Sequence, residues 1–223
     1  MSRLSEAIMF GMQVIPFPLR RGLVRSGLSL MRCLRGHVPY RTAEAPSIVR
    51  RDDAVNSKRE PIVLRPLAPG DEVALLRFYE GLSEKTIAFY SPYLFLDLRQ
   101  MHAVTAANQR GAQQDWVLLN TAGQIVGHGF LADSTRPFPA LGICIADAYQ
   151  GQGLGRKTLD FIIEQAKSTL RSGIRLIVVQ QNQRAVDLYQ SLGFRITRAR
   201  RVLRIGEYSP GSYVSMYEME LHF

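Results

Sequence analysis

Apolar positions along this chain fall into short blocks whose spacing separates strands from helices. Residues 62–67 (IVLRPL) read as a short strand with a proline stop at Pro66. Ala68-Pro69-Gly70-Asp71 is a turn, and Asp71 is placed to cap a helix with Leu75, Leu76, Phe78 and Tyr79 on its face and Gly81 at its end. Ser83 caps a second short helix. Residues 94–114 are read as loop. Three strand-like runs follow at 116–120, 125–131 and 141–146, and Thr121-Ala122-Gly123-Gln124 joins the first two as a hairpin.

Beyond the third run the period changes. Leu159, Ile162, Ile163, Ala166 and Leu170 fall on one helical face, with Gly173 placed to end the helix. Residues 174–180 are a further apolar strand. Residues 182–192 form a short helix with Ala185, Leu188 and Leu192 as inner positions, stopped by Gly193. Residues 194–197 and 215–221 close the pattern as strands. Early strands, then strand–helix–strand–helix–strand, predict a mixed α/β (α+β) sheet with a parallel crossover.

Composition narrows the class. The chain has 223 residues, 46% hydrophobic and 21% charged, which excludes collagen-like, low-complexity and wholly disordered proteins. That length suits one sizeable core plus an extension. No run of 18 apolar residues supports a membrane-spanning helix. The net charge is +9, but residues 1–60 hold eleven Lys+Arg against five Asp+Glu, so most of the excess sits in about a quarter of the chain. This describes a basic arm on a near-neutral domain, not a uniformly basic nucleic-acid binder. Residues 18–36 carry five Arg and no acid, with apolar residues at roughly helical steps broken by Gly22 and Gly27. Such a stretch suits weak contact with an anionic membrane surface, a targeting leader or a poorly ordered extension. It interleaves no aromatics with its arginines, so stacking on bases is not supported. Residues 1–57 are therefore read as arm and linker, and 58–223 as the folded domain. Cys33 and Cys144 form no CxxC pair or Cys/His cluster. That argues against a zinc site or disulfide framework and for a reducing, cytoplasmic compartment.

The segment Gln150-Gly151-Gln152-Gly153-Leu154-Gly155 leads from a strand into a helix. Glycines there tolerate positive φ and allow a ligand close to the backbone. Exposed N–H groups at a helix N-terminus, with Arg156 and Lys157 at the rim, make a phosphate site. The dinucleotide pattern GxGxxG fails, because its sixth place falls at Arg156 or Thr158; the Walker A pattern fails at the same places.

The segment resembles the pyrophosphate loop of GNAT N-acetyltransferases, Q/R-x-x-G-x-G/A. A second element, N-x-x-A-x-x-L-Y-x-x-x-G-F, is matched from Asn182 to Phe194, with Ala185, Leu188, Tyr189 and Gly193 in place. The resemblance covers roughly residues 61–221 and leaves 1–57 unexplained. It implies a central, mostly antiparallel mixed sheet with a β-α-β-α-β acetyl-coenzyme A half and a V-shaped splay between two parallel strands, here 141–146 and 174–180. It further implies that backbone near Ile143, Cys144 and Ile145 pairs with the pantetheine arm. Gln150, Gly151, Gln152, Gly153, Leu154, Gly155 and Arg156 take the pyrophosphate, and Asn182 binds the cofactor arm. Acetyl-coenzyme A is then the cosubstrate, with no metal, and an amine the acceptor. Tyr189 matches the general acid that protonates the leaving thiolate. A thiol near pKa 8.5 and a phenol near 10 make that transfer feasible if binding lowers the phenol modestly.

No base is assigned. Asp133 sits on a loop, His128 reads as a satisfied core histidine sharing a face with Val126 and Phe130, and Glu80, Glu207 and Asp115 read as solvated charges. Cys144 reads as packing. Phe89, Tyr90, Tyr93 and Phe95 make the acceptor region aromatic, either as a pocket for an apolar or flat amine or as ordinary packing. The resemblance implies an amine N-acetyltransferase working by direct attack in a ternary complex. Its rivals are a non-catalytic acyl-coenzyme A sensor and a ribosome- or RNA-associated acetyltransferase of protein N-termini.

Overall fold

The computed structural model describes residues 47–48, 60–90, 92–93, 96–169, 171–203 and 213–223. The Arg-rich stretch 18–36, Cys33, Phe95, Leu170 and Glu207 lie outside the described residues. The described strands are β1 (Ser47–Ile48), β2 (Ile62–Pro66), β3 (Gln113–Leu119), β4 (Ile125–Ala132), β5 (Ala140–Ile145), β6 (Gly173–Val179), β7 (Arg195–Leu203) and β8 (Tyr213–His222). They form one sheet in the order β1-β2-β3-β4-β5-β6-β8-β7. All pairings are antiparallel except β5–β6.

Among the described residues five α-helices flank it: α1 (Glu72–Glu80), α2 (Glu84–Phe89), α3 (Leu98–Gln109), α4 (Leu154–Ser168) and α5 (Gln183–Ser191). Strand alternation sends Trp116 and Leu118 into a core with Leu159, Ile162 and Ile163 of α4. Val117 and Cys144 join the opposite cluster with Leu75, Phe78 and Tyr79 of α1 and Met101 and Val104 of α3. The sheet is thus covered on both faces.

Several local readings change. Residues 94–114 contain α3, capped by the Asp97 carboxylate accepting from Gln100 N at 2.7 Å. Gly173 does not end α4, which stops at Ser168; it opens β6, where an added Cβ would fall 2.4 Å from the Phe138 ring. In α5 the deeply buried positions are Val186 and Tyr189, while Ala185, Leu188 and Leu192 pack at the margin of the core. A register shift between Leu118 and Leu119 places Val126 among the α4-facing residues, so it does not share a face with His128, which meets Tyr79 of α1.

Candidate active site

The parallel pair β5–β6 is in register at Ala140 and Arg175, supported by Arg175 N donating to the Pro139 carbonyl at 3.0 Å. No further pair follows along these two strands among the described residues. Ala146 N donates to Val126 O at 2.9 Å, so even-numbered residues of β5 bond to β4. The alternation turns the backbone groups of Leu141, Ile143 and Ile145 toward the gap beside β6. The backbone of Cys144, by contrast, pairs with His128. Its thiol is buried, and burial pushes it well above the ordinary thiol range. A protonated, buried sulfur is packing, not a nucleophile.

The glycine turn stands at the open end of this gap. Gly151 and Gly153 have φ of +78° and +79°, left-handed conformations that favour glycine. Around Gly153 no atom lies within 4 Å of where a Cβ would stand. Helix α4 starts at Leu154, and the first intrahelical donor of its opening turn is Lys157 N, to Gly153 O at 3.2 Å. The N–H groups of Leu154, Gly155 and Arg156 therefore point outward at the positive end of the helix. Gly155 lies inside the helix with ordinary geometry.

The flanking side chains have distinct tasks. Gln150 Nε2 donates to the Ile145 carbonyl at 3.0 Å and to Thr86 Oγ1 at 3.2 Å. Gln152 Nε2 donates to Ala148 O at 3.0 Å. The Arg156 guanidinium donates to Ser191 Oγ on α5. A cation that the sequence reading passed over is Arg184, whose Nη2 lies 3.7 Å from the Cβ position of Gly151. Its nearness to the Asn182 motif was the signal available.

Asn182 caps α5, with its side-chain oxygen accepting from Ala185 N at 3.4 Å. Tyr189 projects from that helix into the core, edge-on to Phe194 with ring centroids 5.7 Å apart. Burial, then the neighbouring Cys144, raises its phenol above the ordinary range. That direction favours the protonated phenol, the form a general acid needs.

Helix α2 bridges the mouth of the gap. The Asp147 carboxylate, just beyond β5, accepts from Ser83 N at 2.9 Å, Ser83 Oγ at 2.6 Å and Thr86 Oγ1 at 2.7 Å. At the other end of α2, Phe89 packs on Val179, Val202 and Met216. Next to α2 an apolar pocket is lined by Tyr79, Leu82, Ile87, Tyr90, Pro92, Tyr93 and Leu96.

The candidate bases separate cleanly. Glu80 is exposed. Asp133 lies just after β4, with φ +55°, and pairs with Arg175 at 3.3 Å and Arg136 at 3.7 Å. Asp115 is not solvated: it is 1% exposed, bonded to the wholly buried His128. His128 is a satisfied core histidine.

Among the described residues, no three His, Cys, Asp or Glu side chains gather where they could hold a metal ion. No described helix is long and apolar enough to cross a membrane.

Residues 112–196 match a family model described as the acetyltransferase (GNAT) domain. A thialysine N-epsilon-acetyltransferase from Bos taurus is 35% identical over 74 residues, 31% of this chain and 44% of that protein. The match thus spans less than half the length of that curated relative. Among solved structures, a GNAT-family acetyltransferase from Streptococcus pneumoniae superposes with a TM-score of 0.59 at 24% identity, covering 73% of this chain and 99% of that one. A Vibrio cholerae spermidine N-acetyltransferase, solved with coenzyme A and spermine, gives 0.58 at 20% identity, covering 72% and 95%.

Proposed function

We propose that this chain, which carries a GNAT acetyltransferase domain, transfers an acetyl group from acetyl-coenzyme A to a primary amine in a ternary complex. The observation that carries the reading is convergence. β5 leaves its inner edge unpaired beyond Ala140, the turn after it carries the left-handed glycines and the outward N–H groups of α4, and Asn182 and Tyr189 belong to the helix that follows β6, the other strand of the parallel pair.

The residues present suit the cosubstrate. The backbone of Ile143 and Ile145 offers pantetheine the edge of a strand. Leu154, Gly155 and Arg156 hold the pyrophosphate by backbone N–H, while Gly151 and Gly153 let it approach and Arg184 adds charge. Gln150 and Gln152 shape the turn. The Asn182 amide nitrogen, which the helix cap does not use, bonds the cofactor arm. When bound, the cosubstrate supplies an activated thioester. Backbone donors of β5 steady charge at its carbonyl oxygen. Tyr189, kept protonated by its burial, gives its proton to the departing sulfur. A thiolate in the same dry surroundings is itself more basic, which restores the balance between the two groups.

The acetyltransferase unit is residues 58–223, working in the cytoplasm. The arm 1–57 contributes Ser47 and Ile48 to the sheet edge, paired with Val63 and Ile62. The test is release of free thiol from acetyl-coenzyme A across a panel of primary amines and peptides with free N-termini. Saturable, amine-dependent release is expected. Tight acetyl-coenzyme A binding with no transfer to any member would replace the enzyme with a sensor.

A further inference from the structure

Three buried polar side chains from three separate elements form one line. Asp115 on β3 accepts from His128 Nε2 on β4 at 3.0 Å, and His128 Nδ1 meets the Tyr79 hydroxyl on α1 at 2.7 Å. Their exposures are 1%, 0% and 2%. A carboxylate accepts only, so Nε2 carries the proton toward Asp115 and Nδ1 accepts from Tyr79. The Asp115 oxygen that faces His128 also accepts from Gln113 Nε2 at 2.7 Å, while its second oxygen is buried without a partner. Holding such a group dry is costly and requires a compensating arrangement. Here the bonds from His128 and Gln113 offset part of that cost, and a clamp fixes the Asp115 backbone: Asn108 of α3 accepts from Asp115 N at 3.0 Å and donates to Leu67 O at 2.9 Å.

The line ends at Tyr79, beside the pocket next to α2. Tyr79 lines the apolar pocket beside α2 with Tyr90 and Tyr93, whose hydroxyls are buried beside its own. His128 lies opposite Cys144 in the β4–β5 ladder, one residue from both Ile143 and Ile145. The titratable groups that meet His128 are Asp115 from β3, Tyr79 from α1 and, across the ladder, Cys144 from β5; Tyr90 and Tyr93 act on Tyr79 in turn.

We propose that Tyr79, backed by His128 and Asp115, is the route by which the attacking amine loses its proton; this rests on the acetyltransferase reading above. As the amine nitrogen bonds to the acetyl carbon, its proton passes to Tyr79 Oη. The Tyr79 proton passes to His128 Nδ1, and the imidazolium formed is held by Asp115. The carbon–sulfur bond breaks, and the sulfur takes the proton of Tyr189. The imidazolium at His128 and the phenolate at Tyr189 are then neutralised through solvent as products leave. Tyr79 is the catalytic residue, and His128 and Asp115 position and charge it.

The experiment uses the full chain and the two best accepted amines that differ in basicity, drawn from benzylamine, n-hexylamine, spermidine and alanine-initiated peptides. In the unmodified protein, the acid limb of kcat/KM against pH should contain an inflection at the same pH for both amines. Tyr79→Phe should lose that inflection and about 100-fold in kcat/KM, with acetyl-coenzyme A affinity unchanged within twofold. A limb that follows only each amine's own basicity overturns the relay, and needs no variant to be seen. So does a folded Tyr79→Phe protein with an unaltered rate and profile. If no amine is acetylated, the relay falls together with the reading it rests on, whereas active enzyme with no fixed inflection removes the relay alone.

Discussion

The Gln150 side chain donates to the carbonyl oxygen of Ile145 at 3.0 Å, folding the glycine turn back onto the end of the strand that precedes it. That carbonyl faces the gap beside β6, where no strand reaches it. One amide therefore satisfies an otherwise orphaned acceptor and fixes the height of the pyrophosphate turn relative to β5. Gln150→Leu removes both effects at nearly constant size. The loss of one such bond, about 1 kcal/mol, should weaken acetyl-coenzyme A about fivefold in equilibrium titration, with kcat changed less than KM.

The two glycines flanking Leu154 should respond oppositely to alanine. Gly153 has φ +79°, and a left-handed alanine costs about 1–2 kcal/mol. Gly153→Ala should lower the thermal midpoint and weaken acetyl-coenzyme A. Gly155 sits inside α4, where a Cβ would rest 3.7 Å from Leu188 Cδ2, an ordinary contact. Gly155→Ala should raise the midpoint, by up to about 1 kcal/mol of helix propensity, with binding retained.

Tyr189→Phe keeps the ring that meets Phe194 and removes only the hydroxyl. Stability and acetyl-coenzyme A affinity should hardly change, while kcat falls at least about 100-fold. Pre-steady-state thiol release checks this; an unchanged rate would assign the proton elsewhere.

Stability should fall in acid partly through Asp147. Burial raises its carboxyl pKa, but hydrogen bonds from Ser83 and Thr86 outweigh that and hold it below the ordinary value. A lowered folded value means the contribution is fully present above about pH 4, the unfolded carboxyl range. It is lost as pH falls through the folded value. Urea midpoints measured from pH 7 to pH 3 should decline less steeply in Asp147→Asn than in the unmodified chain, from a lower starting point.

What could be read from sequence was what one segment encodes by itself. The hairpin, the glycine turn, the Ser83 cap and the Asn182–Phe194 motif each lie within a dozen or so residues, and all are found where the pattern puts them. Helix α3 was missed because it buries little beyond Met101, Val104 and Thr105, so its apolar face is too thin to show a period. Asp115 was misread because its partners, His128 and through it Tyr79, stand 13 and 36 positions away along the chain and meet it only across strands. Asp71 shows the limit of a local rule. It occupies the N-cap position, yet its carboxylate makes no cap bond and instead grips Arg65 through two bonds of 2.6 and 2.8 Å.

The lone register pair between Ala140 and Arg175 also bears on how the domain coheres. Backbone bonding runs continuously from β1 to β5 and again from β6 through β8 to β7, but among the described residues the bonds between those two plates gather at one end, where Arg175 N meets Pro139 O and Ser172 N and Gly173 N meet Pro137 O. Coherence passes instead through α4, whose Leu159 and Ile162 are wholly buried in the core shared by both plates. A ligand lying in the gap would supply the missing rungs. Binding would then weld two half-sheets into one cooperative unit, making the cosubstrate a part of the architecture as well as of the chemistry.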